Sequence, residues 1–228
     1  MLALKQTVAP LAEPLLVADD VVKQHLRMID TSEDALITLI LGKCREACEL
    51  ITRRALITQT WLMVLDKFPA PGLETASANW YGPSWGTGPG PLTVVRPDGQ
   101  TLYEIYVPLP PLQSVTSIYY WDSTTGLRTL LDPSTYIVDN VSEPARIVPA
   151  PNTSWPATLN RINAVEVTFV AGYGDSGASV PSGIKDWLLM MAGTLYENRE
   201  LIAVLNKGKL ADLPIYDGLL DAYRVVKY

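Results

Sequence analysis

Helical and strand-like patterns occupy separate stretches of this chain, and that separation most constrains its fold. Near the N-terminus, apolar residues recur at helical spacing at Val17, Val21, Val22 and Leu26. A longer amphipathic stripe follows, formed by Leu36, Ile37, Ile40, Cys44, Ala47, Cys48 and Ile51. We therefore expect the first sixty residues to be helical. Two amphipathic helices joined by a short link are expected to pack as a hairpin.

The ends of the second helix also carry local signals. Residues 31–34 resemble a capping box, in which an N-cap hydroxyl and an acid three residues later satisfy free amide groups. The pairs Glu33-Asp34 and Arg53-Arg54 suit the positive and negative ends of the helix dipole. We expect the helix to lie between these two pairs.

From about Leu56 the sequence changes to short, turn-separated strands. Strands are predicted at residues 58–65, 102–107, 115–121, 127–131, 136–138 and 165–171. In the last of these, apolar residues alternate with Glu166 and Thr168, which predicts one face on a core. Such strands indicate an antiparallel β-domain.

Helix returns at Pro181, a favourable first-turn residue, and a final short helix is expected at 218–224. The predicted fold is α+β, with N- and C-terminal helices packed as a helical bundle and an antiparallel β-domain inserted between them. The expected boundaries are residues 1–56 and 180–228 for the helical parts and 57–179 for the β-domain.

A loop at residues 69–91 has an unusual composition. It contains five glycines and five prolines around the aromatic residues Trp80, Tyr81 and Trp85. Loops this long are uncommon in compact domains and are usually functional or disordered. Two interpretations stay open: a mobile surface excursion, or an aromatic contact arm ordered by a neighbouring subunit.

Charge and composition exclude several classes of function. The formal net charge is −6 and the pI about 4.8, which disfavours tight binding to a phosphate backbone. No apolar run approaches the ~18 residues of a membrane span.

Cys44 and Cys48 lie on one helical face, and the chain has a single histidine, His25. We therefore expect the two cysteines to be small buried side chains and expect neither a metal nor a cofactor site.

One short motif suggests nucleophilic catalysis. The stretch Gly174-Asp175-Ser176-Gly177 copies the tetrapeptide around the nucleophile of trypsin-like proteases. A serine needs a base and an orienting acid, and the only candidate base, His25, lies in a predicted helix. We interpret Ser176 as a turn residue and expect no catalytic residue in this chain.

Short motifs in a fixed order run along nearly the whole chain. They are Glu13-Pro14-Leu15, His25-Leu26-Arg27, Leu56 to Trp61, Leu109 to Leu112 with Ser114-Val115, Trp155-Pro156, Ala171 to Gly174, Val180-Pro181 with Ile184-Lys185, Tyr196 to Glu200, and Leu219-Leu220 with Tyr223-Arg224. In these motifs the chain resembles the head–tail connector, or adaptor, family of tailed bacteriophages and their prophage relatives. Residues 69–91 and those after Arg224 fall outside the pattern.

The resemblance implies a structural, non-enzymatic virion protein at the head–tail junction, made in the host cytoplasm. It implies a homo-oligomeric ring, expected to be twelve-fold, beneath the portal protein. The ring would extend the DNA channel, dock a tail-side connector or tail completion protein, and pass genomic DNA without binding it tightly. No membrane partner is implied.

The resemblance also suggests structural roles for individual residues. His25 and Arg27, together with Tyr196 and Arg199, are expected to hold the helical ends together, and Trp61 to anchor the start of the β-domain. Two other classes stay open on the sequence. A carbohydrate-binding module would use the six tryptophans but has no need of helices at both ends, and a serine hydrolase would need Ser176.

If Ser176 is only a turn residue, Ser176→Ala should change the free energy of unfolding by less than about 0.5 kcal/mol, as exposed substitutions usually do. Urea unfolding followed by circular dichroism measures this change, and a serine-directed fluorophosphonate probe should label neither protein. A hydrolytic activity that disappears in the variant would contradict the prediction.

Overall fold

The computed structural model describes residues 2–69, 94–95, 101–102, 104–197 and 214–225. The chain divides into two compact units. We call the unit containing residues 2–9 and 59–172 the β unit, and the unit containing residues 10–58 and 173–225 the helical unit. The α+β class predicted from the sequence is confirmed, with antiparallel sheets and four α-helices in the described residues.

The β unit is built from ten strands in the described residues. They are β1 (Leu2–Val8), β2 (Gln59–Leu65), β3 (Val94–Val95), β4 (Thr101–Leu102), β5 (Ile105–Val107), β6 (Leu112–Trp121), β7 (Arg128–Leu130), β8 (Tyr136–Asp139), β9 (Ala145–Pro149) and β10 (Val165–Ala171). A five-stranded sheet has the order β1-β2-β10-β6-β7, a three-stranded sheet the order β5-β9-β8, and β3 pairs with β4.

Strand β10 lies at the centre of the larger sheet and shows the predicted alternation. Val165, Val167, Phe169 and Ala171 are all buried, while Glu166 and Thr168 point to the other face. The strand pairs with β2 through Phe169 opposite Trp61 and with β6 through Val167 opposite Ile118. The period-two pattern therefore marks the core side of the sheet, because successive strand side chains point to opposite faces.

The expectation of helix across the first sixty residues is wrong for residues 2–8, which form the edge strand β1. This strand pairs antiparallel with β2, from Leu2 opposite Leu65 to Val8 opposite Thr60. Its partner lies more than fifty residues away in the sequence, so no local periodicity reveals the pairing. Strand β9 also escaped prediction, because it is short, contains Arg146 and ends at Pro149, and proline is depleted in strands.

The helical unit contains α1 (Asp20–His25), α2 (Asp34–Thr52), α3 (Ser182–Glu197) and α4 (Pro214–Asp221). Helix α2 packs on α3, and α3 packs on α4. One apolar cluster joins the described parts of the unit, and its largest fully buried members are Ile37, Leu56, Ile57, Ile184, Trp187, Leu188 and Leu220. The predicted stripe of α2 largely faces this cluster, although Ile51 at its edge is 39% exposed.

The predicted capping box at the start of α2 is wrong. The helix begins at Asp34 with Glu33 at the N-cap position, and no side chain caps it. The acid of the predicted box, Asp34, accepts a hydrogen bond from Lys23 Nζ at 3.3 Å, and the neighbouring Glu33 carboxylate accepts one from the Tyr196 hydroxyl. The carboxylate of Asp30 instead accepts hydrogen bonds from the backbone and hydroxyl groups of Ser32.

The C-terminal ends of α2 and α4 also differ from expectation. Arg53 lies at the C-cap of α2 in the left-handed conformation, and Arg54 lies beyond the helix, where its guanidinium donates to the carbonyl of Tyr223. Arg54 is buried, so it does not serve as an exposed basic helix end. Helix α4 ends at Asp221, three residues earlier than predicted, and Arg224 lies in the following turn.

We predict that Phe169→Ala lowers the free energy of unfolding by about 3–5 kcal/mol, because it removes a fully buried aromatic ring and leaves a cavity. The matched control is Thr168→Ala on the opposite face of the same strand, which should cost no more than about 1 kcal/mol. Guanidinium unfolding of both variants measures the difference. Equal losses would place Phe169 outside the core.

Candidate functional site

Ser176 and His25, the two residues that a catalytic site would need, belong to different structural elements. Ser176 occupies the N-cap position of a short 3-10 helix, Gly177–Ser179, and makes no side-chain cap hydrogen bond. His25 is the last residue of α1, and its Nε2 lies 3.0 Å from the point where a Cβ on Gly193 of α3 would stand. Within the described residues no hydrogen bond joins Ser176 to His25. His25, the only histidine of the chain, therefore does not act as a base for Ser176 in this structure.

Cys44 and Cys48 are fully buried in the helical core as free thiols. Burial raises the pKa of the Cys44 thiol to about 11, and burial together with the neighbouring Glu49 carboxylate raises that of Cys48 to about 12. Both thiols therefore stay protonated near neutral pH. In the described part of the chain, no group of three acidic, cysteine or histidine side chains could hold a metal ion.

A charged network joins three separate stretches of the helical unit. Arg45 of α2 donates through Nε to Glu13 at 2.8 Å and through Nη1 to Glu49 at 2.9 Å. The other oxygen of Glu49 accepts the backbone N–H of Leu56 at 2.9 Å. The Arg45 side chain is only 11% exposed. Such charge-assisted bonds are stronger and shorter than neutral ones, so the network fixes residue 13 and residue 56 against α2.

Glu13 belongs to one of the ordered sequence motifs, whereas Arg45 and Glu49 lie outside them and were not predicted. The four-residue spacing between them places both side chains on one side of a helix, which is a usable signal. The link to Glu13 has no local signal, because thirty-two residues separate it from Arg45. The partner of a charged side chain across such a distance is set by the tertiary fold.

Two glycines of the helical unit permit close approaches between motifs. A Cβ on Gly177 would overlap the carbonyl group of Pro14, so the Gly174–Gly177 turn lies directly on the Glu13–Leu15 motif. A Cβ on Gly193 would press on the His25 imidazole, so α1 meets α3 at that point. Gly177 needs glycine because backbone lies above it, whereas a larger residue at Gly193 would require the His25 imidazole to shift slightly, and neither position requires a catalytic explanation.

The residues expected to hold the helical ends together have different surroundings where the structure describes them. The Tyr196 hydroxyl lies against Glu33 and 2.9 Å from the sulfur of Met28, so it connects α3 to the residues before α2. His25 contacts α3 as described above. Arg27 is exposed in the turn after α1 and adopts a left-handed backbone with φ of 56°. Arg199 lies outside the described residues, and the shared role of these four residues stays a prediction.

Two motifs of the β unit bind each other directly. The backbone N–H of Gly172 donates to the carbonyl of Pro111 at 2.9 Å, and the Gln113 side chain donates to the carbonyl of Gly172 at 2.9 Å. The chain turns here through Leu109, whose φ is 61°. These contacts join the stretch entering β6 to the end of β10. In the helical unit, Tyr173 N–H similarly donates to the carbonyl of Leu56 at 3.2 Å.

The aromatic residues of the β unit pack in its sheet and loops. Trp61 lies on β2 between Gln6 of β1 and Phe169 of β10. Its indole Nε1 is buried without a hydrogen-bond partner in the described part of the chain, so the ring acts there by packing. Trp155 stacks on Phe68 with 4.8 Å between ring centroids. Trp80, Tyr81 and Trp85 lie outside the described residues, and their contacts stay a prediction.

No described helix is both long enough and apolar enough to cross a membrane. The polar contacts described above tie the segments of each unit together, and the motif residues that form them belong to a scaffold.

No protein-family model and no curated protein sequence matches the chain. Solved structures do match. A chain from the neck of an empty gene transfer agent (GTA) particle, computed with C6 symmetry, shares 19% identity at a TM-score of 0.68, covering 99% of this chain and 97% of that one. A chain from the neck of the native particle, computed with C12 symmetry, shares 20% identity at 0.62 with the same coverage. This chain has the fold of those neck chains.

A chain in the structure of the native GTA virion also matches, with 19% identity, a TM-score of 0.67, and coverage of 99% of this chain and 96% of that chain. The GTA-like fold thus extends over nearly all of both chains. At this level of sequence identity the structural similarity shows the fold alone.

We predict that Arg45→Met destabilises the GTA-like fold by about 1–3 kcal/mol, because Glu13 and Glu49 lose a shared, largely buried cation. The matched control is Lys43→Met on the exposed side of the same helix, which should shift stability by less than about 0.5 kcal/mol. Urea unfolding curves of both variants give the two values. If Arg45→Met were as stable as the control, the network would contribute nothing to the helical unit.

Proposed function

We propose that this chain is a structural head–tail connector, or adaptor, subunit of a phage-like particle. One copy would repeat around a ring beneath the portal, extend the DNA channel and offer a docking surface to the tail. The observation that carries the proposal is the full-length fold match to chains from the neck of the GTA particle. The motif order found in the sequence points to the same class of protein independently.

The matched necks were computed with C6 and C12 symmetry. A subunit that joins two rotationally symmetric machines repeats around their axis, and head-to-tail contacts close into a ring when the rotation fits. We therefore propose a homo-oligomeric ring of twelve copies. Its partners would be the portal protein on one side and a tail-side connector or tail completion protein on the other.

The charge of the chain fits a conduit for DNA. Each phosphate that a protein neutralises adds affinity by releasing counterions, and a channel that a genome must leave quickly gains nothing from such affinity. The chain carries 24 acidic and 18 basic side chains, and no run of basic residues forms a nucleic-acid patch. We propose that DNA passes through the ring without tight binding and that the chain is not an enzyme.

The remaining features complete the proposed subunit. The helices that precede residue 59 and those that follow residue 172 in the sequence share the apolar cluster of the helical unit. Together they would form the connector's helical bundle. His25, Arg27, Tyr196 and Arg199 would maintain that bundle, and Trp61 would anchor the β-domain. The loop with Trp80, Tyr81 and Trp85 would contact a neighbouring subunit or the tail.

The proposal predicts several copies of the chain per particle, at one vertex only. Cells producing the particle should be engineered to carry this chain with a small C-terminal tag, and purified particles imaged by cryo-electron microscopy with symmetry left free. We expect tag density in a ring between head and tail. Deleting the gene should leave filled heads without tails, and a tagged major capsid protein serves as control. A single copy per particle, or absence from particles, would overturn the proposal.

A further inference from the structure

The segment before α2 is apolar on both sides. We call residues 10–30 the leading segment. Toward the helical core it packs Leu15, Val22 and Leu26, together with the partly buried Ala12, Val17 and Met28. Other residues of the same segment expose apolar side chains to solvent: Leu11 at 97%, Leu16 at 51%, Val21 at 56% and Ile29 at 101%.

A segment lying on a core usually directs polar side chains outward. Single exposed apolar residues are common on monomeric proteins, but four of them along twenty residues of one segment are a candidate contact surface. The outer side of the leading segment therefore resembles one half of an interface.

Helix α2 presents a second surface of the same kind. Leu39, Lys43, Glu46 and Leu50 follow one another at steps of four, three and four residues, so they share one helical face. That face is opposite the buried Cys44 and Cys48. Leu39 is 56% exposed and Leu50 is 80% exposed, so two leucines flank an exposed pair of opposite charges.

The charges of the two surfaces are complementary. The leading segment exposes Arg27 and Asp30 on either side of Ile29, and the α2 face exposes Lys43 and Glu46 between its leucines. Each surface thus has one cation and one anion three residues apart, next to apolar side chains. Arg27 can face Glu46 while Asp30 faces Lys43, which is the charge arrangement that selects a partner and its register.

The backbone at Arg27 offers a way to test the role of its side chain, although Arg53 at the end of α2 adopts the same left-handed conformation. Arg27 follows α1 with φ of 56°, while the N–H of Met28 donates to the carbonyl of Lys23 at 2.9 Å. Glycine is the usual residue at such a helix end, because a Cβ is disfavoured in the left-handed conformation. The Arg27 side chain is exposed, so its charge can act outside the subunit, and a glycine at this position would relieve the backbone without supplying that charge.

We propose that the leading segment of one copy docks on the outer face of α2 of the next copy, with Arg27 facing Glu46 across the contact. The two surfaces are different and belong to the same chain, so the contact is head-to-tail and propagates around an axis. This inference rests on the proposed ring and names the surfaces that form it.

The first test is a charge exchange in particle-producing cells. Arg27→Glu and Glu46→Arg should each lower the yield of tailed particles by about tenfold or more, because like charges meet across the contact. The double variant Arg27→Glu/Glu46→Arg should restore most of the yield. The proposal fails if the double variant is as defective as the product of the two single losses.

A glycine variant separates assembly from folding. Arg27→Gly relieves the left-handed backbone, so the purified subunit should melt at the same temperature or higher. It lacks the charge, so particle yield should still fall. A variant that is both stable and fully competent for assembly would show that Arg27 has no role in the contact.

Cross-linking then tests the pairing of the surfaces directly. Particles carrying Ile29→Cys and Leu50→Cys in every copy should yield a ladder of cross-linked multimers with a short bismaleimide. The native cysteines are fully buried and should not compete. The control pair replaces Ile29→Cys with Val141→Cys, which is 89% exposed in the β unit and should give no ladder.

The outcomes distinguish the contact from the ring itself. Particles with a ring of this chain but no Ile29–Leu50 ladder would reject the proposed contact and leave the connector function intact. A product that stops at the dimer would reject head-to-tail propagation. Particles in which the chain is absent or single would reject the connector function, and the proposed contact with it.

Discussion

Arg45 is largely buried in α2 and binds two carboxylates from different parts of the helical unit. Through Glu13 it holds the start of the leading segment, and through Glu49 it is coupled to the backbone N–H of Leu56, where the chain leaves α2. A cation removed from water in this way is favourable only with its partners in place, since an unpaired buried charge is costly. The segments on either side of α2 are therefore positioned by one side chain.

The position of the leading segment has a consequence at the surface. Its inward residues enter the apolar cluster, and Pro14 lies so close to Gly177 that no larger residue fits there. Within α1, Val22 is fully buried while its neighbour Val21 is 56% exposed, because successive helical side chains point about 100° apart. The same contacts that complete the subunit core therefore present an apolar outer side to a second copy in the proposed ring.

Local patterns predicted those parts of the fold whose partners lie nearby or whose burial is one-sided. The stripe of α2 and the alternation in β10 are strong because each uses the period of its own backbone. Helix α3 followed from its proline start and apolar face. Strand β1 was missed because its partner β2 lies more than fifty residues away, and β9 was missed because it is short, contains Arg146 and ends at Pro149. The capping box failed because the helix begins at Asp34 itself, and the carboxylate of this acid pairs with Lys23.

The candidate surfaces show the same division. From the sequence came the lack of a nearby base for Ser176, the small buried cysteines and the ordered motifs that resemble those of connectors, because residue type and spacing suffice for these. Only the tertiary structure shows that Arg45 joins Glu13, that Ile29 and Leu50 point outward, and that Arg27 adopts a left-handed backbone. The direction of a side chain and the distant partner of a charge depend on how remote segments pack, and amino-acid order along one segment does not contain that information.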